Sequence, residues 1–257
     1  MLFGFNLNDL FLFPFQDSES RKHFLIGCLI YLAGFVIPIL PWLVAMGYVA
    51  ILIRQVLNGE KPHLVPWQDW ERLLKDGARL FGVQLAYASP LLLLMIPIFL
   101  IFFSFPFFPI LFQHGDSHSL GTIYLLLVFA GMGISLLIMP LSLVIGLIVP
   151  AAGVHMVAKD DFSAGFQVKE WWPIFKRNWG GFVVALAILY ALTMVLSIVM
   201  QIMLITFVLI CLFPLLLPVV SMYSAVVQYV AFAQAYKEGK DRLALEAIHS
   251  PEKELGR

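Results

Sequence analysis

The sequence predicts an all-α fold: a polytopic transmembrane helical bundle of about six spans, arranged as three hairpins with interfacial amphipathic helices. Hydrophobic residues make up 61% of the chain and charged residues only 12%, whereas an ordinary soluble domain carries about 25% charged residues. Several apolar runs are each long enough to cross a hydrocarbon core about 30 Å thick. Lys and Arg cluster at alternate junctions between these runs. Because basic residues favour the cytoplasmic side, this alternation indicates a chain that crosses the membrane repeatedly.

The first apolar run covers residues 24–53 and has two prolines near its middle. A continuous helix of this length would be about 45 Å long, well beyond a hydrocarbon core of about 30 Å. Two interpretations follow: one tilted, proline-kinked span, or a hairpin of two short helices that turns at residues 37–41. Arg21 and Lys22 precede the run and Arg54 follows it. Basic flanks on both sides favour the hairpin, with both of its ends in the cytoplasm.

A short charged and aromatic segment, residues 66–77, follows the first run. At helical spacing Trp67 and Trp70 fall on one face and the charged side chains fall on the other. Pro66 suits a first helical turn, and Gly77 is a plausible helix stop. The pattern predicts an amphipathic helix that lies in the membrane interface.

A similar segment, residues 162–179, precedes a later apolar run and contains Trp171, Trp172 and Trp179. These three tryptophans, with the two of the earlier segment, are predicted to be anchors at the level of the lipid headgroups. Residues 14–22 resemble both segments more weakly. A threefold internal repeat and a chance likeness explain the pattern equally well, because aromatic and basic residues recur at every membrane boundary.

Four further apolar runs complete the predicted topology. They cover residues 80–103, 122–158, 180–212 and 219–236. The first two flank a loop without Lys or Arg, which places that loop outside, and the last two flank a short turn predicted at residues 214–218. Every basic cluster then falls on one side. We therefore expect a cell-membrane protein with both termini in the cytoplasm, a single transmembrane domain over residues 1–241, and a short cytoplasmic tail over residues 242–257.

Several short motifs lie at the boundaries of these runs. They are residues 54–60, 66–70, 75–77, 150–152 with 161–166, and 229–241. Together they resemble the signature of a prokaryotic family of uncharacterised multi-pass integral membrane proteins, which is catalogued only as a domain of unknown function. The resemblance extends over about residues 21–241. It implies a prokaryotic membrane location and a helical bundle, and it implies no substrate, cofactor or catalytic residue.

Four polar side chains within the apolar runs are candidate intramembrane functional residues: Gln84, His155, Gln201 and Gln228. Ionisable groups inside a membrane often mark functional sites, and His155 is such a group near the cytoplasmic end of its run. Hydrogen bonding between helices explains these residues, and the Ser and Thr residues of the runs, adequately at about 0.6 kcal/mol each, and it is favoured over a polar cavity. Convergence on one cavity at mid-depth would indicate a transport pathway, whereas scattering would indicate a structural role.

The sequence contains no recognisable reactive constellation. A P-loop, a GxSxG motif and an HExxH motif are all missing from it. His114, Asp116 and His118 alternate in the outer loop, but a solvated loop is favoured over a zinc or copper site there. We therefore predict no catalytic residue, no metal site and no cofactor.

Three classes of function fit these observations. The favoured class is a non-catalytic integral membrane protein that packs against lipid, partner subunits or further copies of itself, with no nucleic-acid partner. The alternative is a transporter or channel subunit with a polar cavity between proline-broken spans. The third class, an enzyme acting on lipid headgroups, would need clustered His, Asp or Glu at one interface. A cleft with His155, Asp160 and Asp161 beside Lys176 and Arg177 would favour it.

Overall fold

A computed structural model describes residues 7–104, 117–206 and 211–254, with side chains for residues 7–104, 121–206 and 211–248. Within these ranges the chain is helical and has no β-strand, which confirms the predicted all-α fold. The helices there are α1 (Leu7–Leu12), α2 (Ser18–Ala33), α3 (Leu40–Asn58), α4 (Trp70–Ser104), α5 (Ser117–Lys159), α6 (Val168–Arg177), α7 (Trp179–Ile205) and α8 (Phe213–Glu254). Short 3-10 turns, Phe13–Phe15 and Phe162–Phe166, precede α2 and α6.

Five helices of the described chain are long and apolar enough to cross a membrane: α3, α4, α5, α7 and α8. This confirms the prediction of an integral membrane protein with several transmembrane helices. Helix α2 has 16 residues, fewer than the roughly 20 that a span needs. The predicted sixth crossing would therefore depend on α2.

The first apolar run is broken between α2 and α3, where the hairpin interpretation places its turn. Ile39 has a φ of 72°, a left-handed conformation that is costly for a β-branched residue and ends helical continuity. Pro41 lies in the first turn of α3, where its missing N–H is not needed. The rings of Tyr31 and Trp42 meet edge to face across the break, with centroids 5.9 Å apart. The two helices thus form a hairpin rather than one kinked helix.

The segment 66–77 is not the separate amphipathic helix that its pattern predicts. Pro66 and Trp67 precede the helix, which begins at Trp70. The Asp69 carboxylate accepts a hydrogen bond of 3.3 Å from the backbone N–H of Arg72 and so caps this N-terminus. From there α4 continues without interruption to Ser104.

Gly77, predicted as a helix stop, lies instead at a close crossing of α3 and α4. A Cβ atom at Gly77 would stand 1.8 Å from the backbone oxygen of Leu43, and one at Gly47 would stand 1.8 Å from that of Leu73. Only glycine allows the two backbones to approach this closely, as at many helix crossings in membranes. The glycine that suggested an end to the helix is a packing residue.

Contacts divide the chain into two compact units, of which the first comprises Met1–Gln84 and Pro150–Arg257. Its centre is α8, which packs against α2, α3, α6 and α7. The buried hydrophobic residues of α8 include Met222, Val226, Val227, Val230, Ala231, Phe232, Ala233, Ala235 and Tyr236. The predicted turn at residues 214–218 is wrong, because these residues belong to α8 and its first prolines lie in or near the first turn. The predicted domain limit at residue 241 also falls within this helix.

The second unit, Leu85–Val149, contains the end of α4 and most of α5. The hydroxyl of Tyr124 donates a hydrogen bond of 3.5 Å to the carbonyl of Ile101, and Gly131 faces the same residue. Pro90 and Pro97 lie inside α4 without ending it. The proline-broken spans of the transporter interpretation are therefore continuous helices in this unit.

Candidate functional site

His155 is buried near the end of α5, with 2% of its surface exposed. Its Nδ1 lies 2.6 Å from the hydroxyl oxygen of Tyr236 on α8, and its Nε2 lies 3.3 Å from a carboxylate oxygen of Glu170 on α6. The same carboxylate oxygen is 3.2 Å from Nζ of Lys159. Four side chains, which we call the histidine cluster, thus connect three helices.

The protonation of the histidine cluster follows from its partners. The ammonium group of Lys159 holds the pKa of the Glu170 carboxyl below its ordinary value, although partial burial opposes this. An ionised carboxylate only accepts hydrogen bonds, so Nε2 of His155 carries the hydrogen that points at Glu170. The neutral ring then accepts at Nδ1 from the Tyr236 hydroxyl. Both nitrogens are engaged in contacts with other helices.

A second polar cluster, here the arginine cluster, joins α3, α4 and the end of α5. The Arg54 guanidinium contacts Asp76 at 2.5 Å and Asp160 at 3.0 Å. Arg79 contacts the same oxygen of Asp160 at 3.6 Å. Asp76 is only 5% exposed, so its pairing with Arg54 compensates a buried charge. No local pattern in the sequence indicates this cluster, because Arg54, Asp76 and Asp160 are far apart along the chain.

Asp160 and Asp161 lie at the end of α5, and both are exposed. Asp160 has a φ of 52°, the left-handed conformation that commonly terminates a helix. Asp161 accepts a hydrogen bond of 3.1 Å from the backbone N–H of Ser163. Hydrogen bonds from the Ser163 hydroxyl and backbone lower the pKa of the Asp161 carboxyl. The pair ends α5 and starts the following 3-10 turn.

The five predicted interfacial tryptophans fall into two groups. Trp67 and Trp171 are buried; the Trp67 indole donates a hydrogen bond of 2.8 Å to the carbonyl of His23 and stacks on Tyr48 at 3.8 Å. These two rings contact protein rather than lipid. The other three are exposed: Trp70, Trp172 and Trp179. Their depth at the headgroups stays a prediction.

The four candidate intramembrane polar residues have no common contact in the described structure. Gln84 donates a hydrogen bond to the hydroxyl of Tyr229, whereas His155 contacts Tyr236, about two helical turns farther along α8. Gln201 is exposed on α7, and Gln228 is half-buried on α8. The arrangement is scattered rather than convergent.

Seven Ser and Thr hydroxyls in or at the ends of the long helices are satisfied locally. Each donates to a carbonyl three or four residues earlier in its own helix: Ser89, Ser104, Ser135, Ser142, Thr193, Ser197 and Thr206. The prediction that such residues link neighbouring helices is wrong for these, because the preceding turn offers an acceptor within reach.

Three clefts open among the helix ends of the first unit. One of about 490 Å³ is lined by charged side chains that include Glu60, Lys61 and Lys237. One of about 340 Å³ lies beside Arg54 and shares Lys237. A third, of about 320 Å³, lies at the junction of α6 and α7. His155 lines none of these three clefts, and Arg177 pairs with Glu246.

Metal chemistry has little support in the part of the chain that the structure describes. No group of three His, Cys, Asp or Glu side chains there has the proximity that a metal ion needs. His114 and Asp116 lie outside the described residues, as does the side chain of His118.

Comparison with known proteins gives one family. A model of that family, described as "Protein of unknown function (DUF4013)", matches residues 30–205, more than half of the 257-residue chain. No curated protein and no solved structure matches the chain. The matched range includes the motifs at residues 54–77 and 150–166, while the motif at residues 229–241 lies beyond it. The resemblance to a family known only as a domain of unknown function is confirmed over residues 30–205, and the chain belongs to the DUF4013 family, a family of unknown function.

Proposed function

We propose that this chain is a non-catalytic integral membrane protein that packs against lipid and membrane-protein partners. The observation that supports this most directly is the use of its buried polar groups. His155, Arg54 and Asp76 each bond to side chains on other helices or helix ends. These bonds hold the helices together. Bulky apolar side chains of the long helices remain exposed, as contact with lipid requires.

The transporter alternative has less support. A carrier needs polar groups that converge on a pathway between helices. Gln84 and His155 bond to different tyrosines, and Gln201 is exposed. The scattered placement of these residues favours a structural role for them.

The charged ends of the helices are proposed to face the cytoplasm of the cell membrane. Lys and Arg lie near the end of α3, the start of α4 and the ends of α5, α6 and α8, whereas residues 104–121 contain neither. The positive-inside rule therefore puts both termini in the cytoplasm. A reporter fused after Arg257 and a cysteine placed at Ser117 should be reached from opposite sides. The background should carry Cys211→Ser, because Cys211 is exposed.

The function itself is tested by reconstituting the full chain in lipid vesicles and measuring solute and ion flux. A packing protein leaves the vesicles as tight as protein-free ones. A photoreactive amino acid at Leu136, which is 75% exposed, should form adducts with lipid or another membrane protein, and one at buried Val226 should react only within the chain. Flux that disappears with Gln84→Ala would contradict the proposal and favour the transporter.

A further inference from the structure

The cleft at the junction of α6 and α7 has a predominantly apolar surface that is bordered by two arginines. Its lining includes the side chains of Arg177, at the end of α6, and Arg242, from α8. Trp179, Val183 and Val184, all from the first two turns of α7, supply the apolar part. Trp179 is 64% exposed. A phosphate ester with an attached hydrocarbon chain could use both features: the arginines for its phosphate and the apolar surface for its chain.

Each arginine is oriented by one carboxylate. Arg177 contacts Glu246 at 3.2 Å through Nη2, and Arg242 contacts Glu238 at 2.8 Å through Nε. A guanidinium carries five N–H donors in a planar fork, so one contact leaves several donors for an anion. Guanidinium pairs bind phosphate oxygens with two parallel hydrogen bonds where the geometry allows.

The adjacent helix end adds to the positive side of the cleft. The Asn178 amide donates to the carbonyl of Ala235 at 2.9 Å and forms no cap on α7. The Asn178 side chain therefore does not neutralise the start of α7, and a helix N-terminus favours negative charge. This contribution supports the two arginines and does not replace them.

We propose that this cleft binds the phosphate of an anionic phospholipid, with its acyl chain along Val183 and Val184. The inference rests on the proposed function, since it takes α7 as a transmembrane helix with Arg177 and Arg242 at the interface. Basic pockets between transmembrane helices bind anionic headgroups in this way. The apolar surface distinguishes a lipid from free phosphate, which would gain nothing from Val183 and Val184.

The test measures retention of phosphatidylglycerol and of phosphatidylcholine by the purified full chain in detergent, using native mass spectrometry. Wild type should retain phosphatidylglycerol preferentially. Arg177→Gln and Arg242→Gln should each weaken that retention about fivefold, from about 1 kcal/mol per basic residue near anionic lipid. The matched control is Arg21→Gln, an exposed arginine on α2, which should behave as wild type.

A variant with the opposite expected effect separates lipid binding from a structural role. Glu246→Gln removes the carboxylate that competes for Arg177, so retention of phosphatidylglycerol should rise. A structural ion pair alone would give no rise, and that result would overturn the proposal. Arg177→Lys keeps the charge and should retain part of the preference. Equal melting temperatures in phosphatidylcholine show that the variants are folded.

Competition with inorganic phosphate identifies the source of the phosphate. Excess inorganic phosphate should leave bound phosphatidylglycerol in place, and Val183→Trp should reduce lipid retention by filling the apolar part of the cleft. Full displacement by inorganic phosphate, or arginine variants indistinguishable from Arg21→Gln, would contradict the inference. Solute flux in vesicles would contradict the proposed function instead, so the two failures are distinguishable.

Discussion

The two compact units differ in where their polar side chains find partners. In the first unit His155, Arg54 and Asn178 bond to groups on other helices or helix ends. In the second unit Ser89 and Ser135 donate to carbonyls of their own helices, and the long bond of 3.5 Å from Tyr124 to the carbonyl of Ile101 joins α5 to α4. Burial differs in the same direction. In the most apolar 18-residue stretch of α3, 61% is buried, whereas in the corresponding stretches of α4 and α5 nothing is buried.

The difference shows which interactions hold helices against one another in a lipid bilayer. Lipid tails are as apolar as leucine, so apolar contact alone does not distinguish a helix from lipid. Hydrogen bonds and close backbone contacts between helices do favour a neighbouring helix over lipid, and both are found mainly in the first unit. Substitutions matched across the two units should therefore differ in effect.

The largest difference is expected for glycine. Gly47→Ala places a Cβ atom 1.8 Å from the backbone oxygen of Leu73, so α3 and α4 must separate. We expect a loss of about 3 kcal/mol or more in the free energy of unfolding, or failure to fold. Gly133→Ala, where a Cβ atom meets nothing within 4 Å, should be neutral or stabilising by up to about 1 kcal/mol. Thermal unfolding in detergent measures both, and equal effects would remove the distinction between the units.

Sequence analysis recognised Gly77 as a special residue and assigned it the wrong role. Glycine serves both at helix ends and at close helix crossings. The two uses look alike until the neighbouring helix is known. The break between α2 and α3 was predictable, because run length and two nearby prolines are local signals.

The arginine cluster gives the second test. Asp76→Asn leaves the half-buried Arg54 without its closest carboxylate, and loss of one partner of a buried pair costs about 3 kcal/mol. Asp160→Asn removes a contact whose carboxylate side is 72% exposed, and should cost less than about 1 kcal/mol. Denaturation of the two variants under identical conditions checks the order. A larger effect at Asp160 would mean that exposure does not rank these pairs.

This cluster could not be predicted because its members are far apart in sequence. Arg54 meets Asp76 across 22 residues and Asp160 across 106 residues. Amphipathic spacing on α4 indicates a polar face, but it does not indicate that another helix covers that face. His155 was recognised as a lone ionisable residue, whereas its partner Glu170 carried no signal of its own.

A third, smaller difference concerns single hydroxyl groups. Tyr236→Phe leaves Nδ1 of the buried His155 without its hydrogen bond, at a cost of about 1 to 2 kcal/mol. Ser135→Ala in the second unit removes a bond within one helix, and should change stability by no more than about 0.5 kcal/mol. The two variants should be compared in the same detergent. Similar costs would indicate that bonds within a helix stabilise as much as bonds between helices.

The smallest expected effect is the acid response of the histidine cluster. Lys159 and His155 hold the pKa of Glu170 below its ordinary value of 4.5 in the folded protein, so below about pH 4.5 the unfolded chain binds more protons at this residue. The carboxylate therefore stabilises the fold at neutral pH, and this contribution is lost as pH falls through the lowered folded pKa. Glu170→Gln should flatten the acid side of a plot of melting temperature against pH, and Lys159→Met should flatten it partly. An unchanged acid slope in Glu170→Gln would show that the link between α5 and α6 does not depend on this charge.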